Sequence, residues 1–303
     1  MGGVISADDP KWIEPFVGLS PEQFNRLVAL VRRRGGDIQR GRPWRLPLKD
    51  RVLLVATYWR TNLTLRQVAP LFGVSKSAAD RILDHLAPLL AISPARRKRE
   101  DTVYIVDGTL VPTRDRSIGA SSKNYRYSTN LQVVIDANSR LVVAIGDPLP
   151  GSRNDCRAFS ESGVDRVCRG VPTIADGGYQ GTGLLIPHRK RRGQEHLSPV
   201  QEAENSVHRR ARARVEHALS RLKNWKILRD CRLKGDGVHQ AALGIARLHN
   251  MALTGLLRPH TGQPLAAVEA RIGHRFRLDV SMAEIVAEVA ATPEPPKVAC
   301  WQG

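Results

Sequence analysis

The sequence predicts two architectures in series: an all-α segment that carries a helix-turn-helix, then a mixed α/β layer. Up to about residue 95, apolar residues recur at helical spacing between capping and glycine stop signals. From residue 101 they gather instead in short β-branched runs bounded by turns. The charge distribution changes at the same place. Residues 1–100 carry 18 Lys and Arg against 9 Asp and Glu, residues 101–187 carry 9 against 9, and residues 188–234 carry 14 against 5. A neutral layer comparatively rich in carboxylates thus lies between two basic segments.

The formal net charge of +18 and an isoelectric point near 10.6 favour a polyanionic partner, of which nucleic acid is the commonest. With 42% hydrophobic residues the 303-residue chain is expected to be globular, with one large core or two ordinary ones. The four cysteines (Cys156, Cys168, Cys231, Cys300) form no C-x-x-C pair, so neither a zinc ribbon nor a disulfide framework is indicated. The N-terminus lacks the basic start and apolar stretch of a signal peptide, and no run approaches about 18 uncharged apolar residues. A cytoplasmic protein without membrane contact is expected. Arginine outnumbers lysine 37 to 10, which suggests a GC-rich bacterial genome; a DNA-binding bacterial protein would be nucleoid-associated.

Ser20-Pro-Glu-Gln23 reads as an N-cap, a proline in the first turn and a glutamine at the third helical position. That helix runs to Arg32-Arg-Arg-Gly-Gly36, where glycines stop it. A loop with Gly41-Arg-Pro-Trp-Arg-Leu-Pro47 leads to a helix from about Leu48, with Val52, Val55, Ala56 and Trp59 on its apolar face. Leu63 to Leu83 has the pattern of a helix-turn-helix: small Ala69 at the crossing, Gly73 in the turn, and Val74, Ala79 and Ile82 packing inward. The second helix would begin at Ser75 or Lys76 and present Lys76, Ser77 and Arg81 to a DNA major groove. Pro70 inside the first helix is irregular. The basic run Pro94–Glu100 is the natural linker.

In the α/β layer, Thr102-Val-Tyr-Ile-Val-Asp107 is a short strand ending on an acid. Asn130–Asp136 and Arg140–Gly146 form a hairpin about an Ala-Asn-Ser turn. A helix after Asn154 leads to Val171-Pro-Thr-Ile-Ala-Asp176, a second strand ending on an acid. Leu184-Leu-Ile-Pro187 adds a further short strand, and two helices follow, at about 200–224 and 238–257.

Asp107 and Asp176 each follow an apolar strand and precede glycine, a placement that presents carboxylates at one rim of a sheet where a metal ion can reach both. Each could equally well open a turn. Glu216 lies on the 200–224 helix, where Val215, Leu219 and Leu222 form the inward stripe. Arg212, Glu216 and Lys223 fall within roughly 40° of one another at 100° per residue. An ordinary surface ion pair would look the same, and so would a metal-binding acid flanked by phosphate-holding cations. Trp225 suits either a core position or a stack on an unpaired base. His188 and His217 have no partner at ligand spacing and read as structural or phosphate-facing.

Four segments together resemble the DDE-type transposases of bacterial insertion sequences, in the group numbered five, relatives of the eukaryotic Harbinger transposases. They are Val106-Asp-Gly-Thr109, Pro150-Gly-Ser-Arg-Asn-Asp155, Ala175-Asp-Gly-Gly-Tyr-Gln-Gly181 and Arg212-Ala-Arg-Val-Glu-His-Ala-Leu-Ser-Arg-Leu-Lys-Asn-Trp225. Arg60-Thr-Asn-Leu-Thr64 running into Phe72-Gly-Val-Ser75 resembles the family's helix-turn-helix. The resemblance covers about residues 20–257.

The resemblance implies an RNase H-like catalytic domain over 96–257, a helical DNA-binding domain over 1–95, and an extension, 258–303, without an assigned role. It implies Asp107, Asp176 and Glu216 as catalytic, metal-binding acids, with Asp155 as a supporting acid. It implies Mg²⁺ or Mn²⁺, with two ions per site: Asp107 would bridge both, and Asp176 and Glu216 would each complete one. Arg212, Glu216 and Lys223 match the related Tyr-x2-Arg-x3-Glu-x6-Lys pattern, but Arg209 stands at the tyrosine position. Arg209, Arg212, Lys223 and Trp225 are the expected DNA contacts near the acids. Double-stranded DNA, both element ends and target, is the implied partner, with a homodimer or higher oligomer for synapsis. A transposase-derived regulator that binds without cutting, and an RNase H-like nuclease that cuts without joining, are the rival readings.

Overall fold

The computed structural model of the protein describes residues 3–38, 43–93 and 102–256. The expected linker Pro94–Glu100, the 258–303 extension and Cys300 lie outside the described residues. In chain order the first helices are α1 (Ile13–Val17), α2 (Pro21–Arg33), α3 (Leu48–Thr61), α4 (Leu65–Leu71) and α5 (Lys76–Leu90). Strands β1 (Tyr104–Pro112), β2 (Ser128–Asp136), β3 (Val142–Ile145) and β4 (Leu149–Pro150) follow. Then come α6 (Asp155–Glu161), α7 (Val164–Cys168), β5 (Thr173–Ile174), α8 (Pro199–Leu222) and α9 (Gly237–Leu256). A helical segment thus precedes a mixed α/β layer, as the periodicity predicts.

The described residues form two compact units. One holds 3–38, 43–93, 111–117 and 221–256, and the other 102–110 and 118–220. In the first, local capping decides where helices begin. Ser20 Oγ accepts from Gln23 N at 3.3 Å while Gln23 Oε1 accepts from Ser20 N at 2.8 Å, so α2 opens on a reciprocal capping box. Thr64 and Gln67 open α4 in the same way, and Ser75 Oγ accepts from Ala78 N at 3.2 Å to open α5. Gly73, at φ +66°, takes the left-handed turn between α4 and α5. Pro70 sits in the last turn of a seven-residue helix, where its missing N–H costs a single helical bond.

Helix α3 is the centre of this unit. Val52, Leu53, Leu54, Val55 and Trp59 are fully buried, so the helix is enclosed on more than the one face its pattern suggested. Helix α9 packs on α5 and caps it: Arg247 Nε donates to Leu90 O at 2.8 Å and to Ala91 O at 3.0 Å.

In the second unit the sheet order is β3-β2-β1-β5, with β4 on β2. β2 and β3 are antiparallel, β1 and β5 parallel, and Leu185 adds a parallel bridge to Ile174. This is the expected mixed sheet. The hairpin turn is set by Asp136, whose Oδ1 accepts from Asn138 N, Ser139 N and Ser139 Oγ at 3.1, 2.7 and 2.7 Å. Tyr104, Val106 and Val134 face Phe159, Val164 and Cys168, so α6 and α7 cover one face of the sheet. One boundary is corrected. Strand β1 does not end at Asp107 but continues through Thr109-Leu-Val to Pro112, because those residues keep the strand's β-branched and apolar character across Gly108.

Gly244 of α9 lies against the indole of Trp59, with no room for a Cβ. Gly244→Ala should cost about 1–3 kcal/mol through overpacking, read as a lowered urea midpoint in tryptophan fluorescence. An unchanged midpoint would mean that α9 does not seat on Trp59 in solution.

Candidate functional site

Asp107 stands in the middle of β1, on the opposite side of the strand from the core residue Val106. Its carboxylate meets α8: Arg212 Nη2 donates to Asp107 Oδ2 at 3.2 Å, and the same nitrogen lies 3.9 Å from Glu216 Oε1. Asp107 and Arg212 side chains are largely buried, at 17% and 20% exposure, whereas Glu216 is 60% exposed. Burial pushes the Asp107 carboxyl up to about 6; Arg212 opposes that rise, while Asp176 and Asp155 add to it.

Asp155 is the first residue of α6, a position fixed by Asn154, whose side chain caps the helix by accepting from Arg157 N at 3.0 Å. Beneath it lies a buried polar network. Gln132 Nε2 donates to Asn130 Oδ1 at 3.0 Å and to Asp155 Oδ1 at 3.4 Å, and Tyr179 Oη donates to Gln132 Oε1 at 2.6 Å. Burial raises the Asp155 carboxyl, Asn130 and Gln132 pull it back, and Asp176 raises it further. The Tyr179 hydroxyl is raised by burial and then by Asp155, Asp107 and Asp176 together, so all three aspartates surround one buried ring.

Asp176 lies two residues past the end of β5, and its Oδ1 accepts from Gly178 N at 2.7 Å. Two glycines keep this space open. A Cβ on Gly178 would stand 2.9 Å from Asp176 Oδ1 and 3.1 Å from Asp155 Oδ2. One on Gly108 would stand 2.7 Å from both Asp155 Oδ1 and Gln132 Nε2. Neither glycine has a positive φ, so what these positions require is the absence of a side chain.

Asp155 thus lies beside both Gly108, next to Asp107, and Gly178, beside Asp176, with Arg212 and Glu216 supplied by α8. The donor set is hard carboxylate oxygen, the ligand type that Mg²⁺ and Mn²⁺ take, with Arg212 partly balancing its charge. In this arrangement no three Asp, Glu, His or Cys side chains among the described residues stand close enough to hold a metal ion, and Arg212 occupies the place between Asp107 and Glu216.

Residues 98–251 match the family described as the transposase DDE domain, and residues 44–95 match the helix-turn-helix of DDE superfamily endonucleases. The protein named as transposase of insertion sequence element IS112 from Streptomyces albus G is 66% identical over 256 residues, covering 84% of this chain and all of its own length. The chain belongs to the DDE transposases. A second transposase of this kind, for insertion sequence element IS702 of Microchaete diplosiphon, is 28% identical over 70% of this chain and 83% of its own. A solved piggyBac transposase synaptic complex with hairpin DNA aligns over 96% of this chain and 87% of its own, at 10% identity and a TM-score of 0.45, a likeness too slight to fix the fold.

In this transposase the matched helix-turn-helix corresponds to α4 and α5. Lys76, Ser77 and Arg81 are exposed on the first turns of α5. Lys76 lies 3.6 Å from Asp80, an exposed pair of little energetic weight. Trp44 was not anticipated as part of this surface. Its ring takes the guanidinium of Arg81 at 5.1 Å and that of buried Arg51 at 5.0 Å, and stacks with His85 at 5.5 Å. A tryptophan 37 positions upstream in a Gly/Pro loop carries no periodic signal that would place it there.

The remaining expected contacts separate. Arg209 is exposed on α8. Lys223 and Trp225 lie past the helix's last residue, Leu222, and belong to the other compact unit. Trp225 is buried with Arg60 5.1 Å over its ring, so of its two readings the structure shows the core aromatic. His188 is held by Glu204 at 2.5 Å, and His208 Nε2 lies 3.1 Å from Leu185 O; both anchor α8 to the loop before it. Gln132, Asn130 and Tyr179 were missed: in sequence they are strand and turn residues, and only the pairing of β2 with its neighbours brings them under Asp155.

Gln132→Leu would strip Tyr179 and Asp155 of buried partners. Urea denaturation should show a loss of about 1–3 kcal/mol, and an unchanged midpoint would mean that the network contributes nothing.

Proposed function

We propose that this chain transposes an insertion sequence: it binds the element's terminal inverted repeats in double-stranded DNA, cuts the strands and joins the freed ends to target DNA. The observation that carries the reading is the meeting of Asp107, Asp155 and Asp176 at one sheet rim with Arg212 and Glu216 of α8. Exposed Lys76, Ser77 and Arg81 on α5 are the base-reading candidates. The protein would work in the cytoplasm and as a homodimer or higher oligomer when two ends are brought together.

Asp107, Asp176 and Glu216 would hold the divalent ions, and Asp155, fixed by Gln132 and Asn130, would support Asp176. When bound, such ions lower the pKa of an attacking water or hydroxyl and stabilise the leaving oxygen of a phosphodiester. Asp107 is central because it lies deepest and feels both other aspartates. Exposed Glu216 is free to turn from Arg212 toward the site. Releasing Glu216 would leave Arg212 beside Asp107, where its guanidinium can also meet a phosphate oxygen. In the first reaction water attacks phosphorus, and the bond to the 3′-oxygen of the element end breaks. In the second that 3′-hydroxyl attacks a target phosphorus at the same carboxylates, the bond from that phosphorus to the target strand's 3′-oxygen breaks, and the target leaves as a new 3′-hydroxyl.

The test is Mg²⁺-dependent cleavage and joining on DNA bearing the repeats that flank this gene, with wild type beside Glu216→Gln. Activity at the repeat ends should fall at least about 100-fold in the variant, the scale of removing one group that stabilises the transition state. Binding without cutting in both proteins would make this a regulator, and cutting without joining a nuclease.

A further inference from the structure

Residues 189–192 place four cations, Arg189-Lys-Arg-Arg192, side by side on an exposed loop. Charged loops are commonly loose, but this one is clasped at each end. Asn205 of α8, itself buried, grips the loop's first residue twice: its Oδ1 accepts from His188 N at 2.8 Å and its Nδ2 donates to His188 O at 3.0 Å. The His188 ring meets Glu204 at 2.5 Å. At the far end Gln194 closes a turn, with its Oε1 accepting from Arg191 N and its own N donating to Arg191 O, both at 3.0 Å.

Arg189 ties the loop to the acids. Its Nη2 donates to the carbonyl of Gly177, the residue after Asp176. The guanidinium lies against Gly177, with Nε 2.8 Å and Cζ 3.0 Å from where a Cβ would stand. Helix α8 makes a second connection. Asn205, Arg209, Arg212 and Glu216 stand at i, i+4, i+7 and i+11, one face of the helix within roughly 60°. Along that face the loop clasp and the acid Glu216 are about 16 Å apart, the length of roughly five nucleotide steps at ~3.4 Å each.

We propose that loop 189–192 and this face of α8 form a preordered track for the DNA phosphate backbone, leading away from the carboxylates. The assignment rests on the transposase reading above and names the surface that holds the strand being cut. Arg189 contacts the phosphate beside Asp176, Arg209 one midway, and Lys190, Arg191 and Arg192 those further along. Asn205 is a positioning residue, since it holds the loop and touches no DNA. Ordering the cations in advance removes part of the entropic cost of binding.

The test measures affinity against salt concentration for full-length protein, on a duplex carrying the flanking repeats and on an unrelated duplex. Replacing Lys190, Arg191 and Arg192 with alanine together should flatten the logarithmic salt slope by about 0.9 for each phosphate no longer neutralised, up to about 3, equally on both duplexes. Asn205→Ala, which removes no charge, should weaken binding by about threefold to tenfold, with its circular dichroism unchanged. A triple variant with the wild-type slope, while wild type binds DNA, overturns the track and leaves the transposase reading intact. Wild type that binds neither duplex overturns both.

Discussion

Three aspartates held at one rim of a sheet repel one another, and the compensation of that repulsion governs the second unit. Burial pushes the Asp107 carboxyl up to about 6, Arg212 opposes that rise, and Asp176 and Asp155 add to it. The chain meets the cost in two ways. Arg212 places a cation against Asp107, and Gln132 Nε2 donates a hydrogen bond to Asp155. A fold without another use for these acids would gain by dispensing with them, since an apolar replacement of a buried ion pair is often neutral or stabilising. Three such groups are retained here, with glycines at 108 and 178 that leave space among them.

The same constraint explains which parts of the scaffold are rigid. The carboxylates sit on a strand interior, a helix start and a strand end, positions whose backbone is fixed by pairing or capping. Beneath Asp155, Gln132 donates to its carboxylate and is itself held by a fully buried hydrogen bond from Tyr179. Glu216 differs: it projects from α8 and is mostly exposed, its ion pair among the described residues being a 3.9 Å contact to Arg212.

Much of this was legible in the sequence because it is written in local patterns. Ser20–Gln23, Gly73 and Ser75 are short-range signals, and each helix start they imply is present. Asp176 and Glu216 announced themselves by a strand end and a helical stripe. What escaped depends on pairing between distant segments. Asp107 reads as a strand end because Gly108 follows it, yet β1 runs on, since the glycine is there to admit Asp155 and Gln132. Helix α9 reads as the last element of the α/β layer, but its Gly244 fits Trp59 of α3, a contact between residues far apart in the chain. Trp225 could not be assigned from spacing, because a buried tryptophan and a stacking one share the same apolar neighbours.

Asp107, Asp176 and Glu216 are proposed to hold a divalent cation, with Asp107 its main ligand. A calorimetric titration of Mn²⁺ into the full-length protein, comparing wild type, Asp107→Asn and Arg212→Ala, tests it most directly. The account predicts saturable binding in wild type, at least tenfold weaker binding in Asp107→Asn, and equal or tighter binding in Arg212→Ala, where the competing guanidinium is gone. Mn²⁺ binding to Asp107→Asn as tight as to wild type would contradict it.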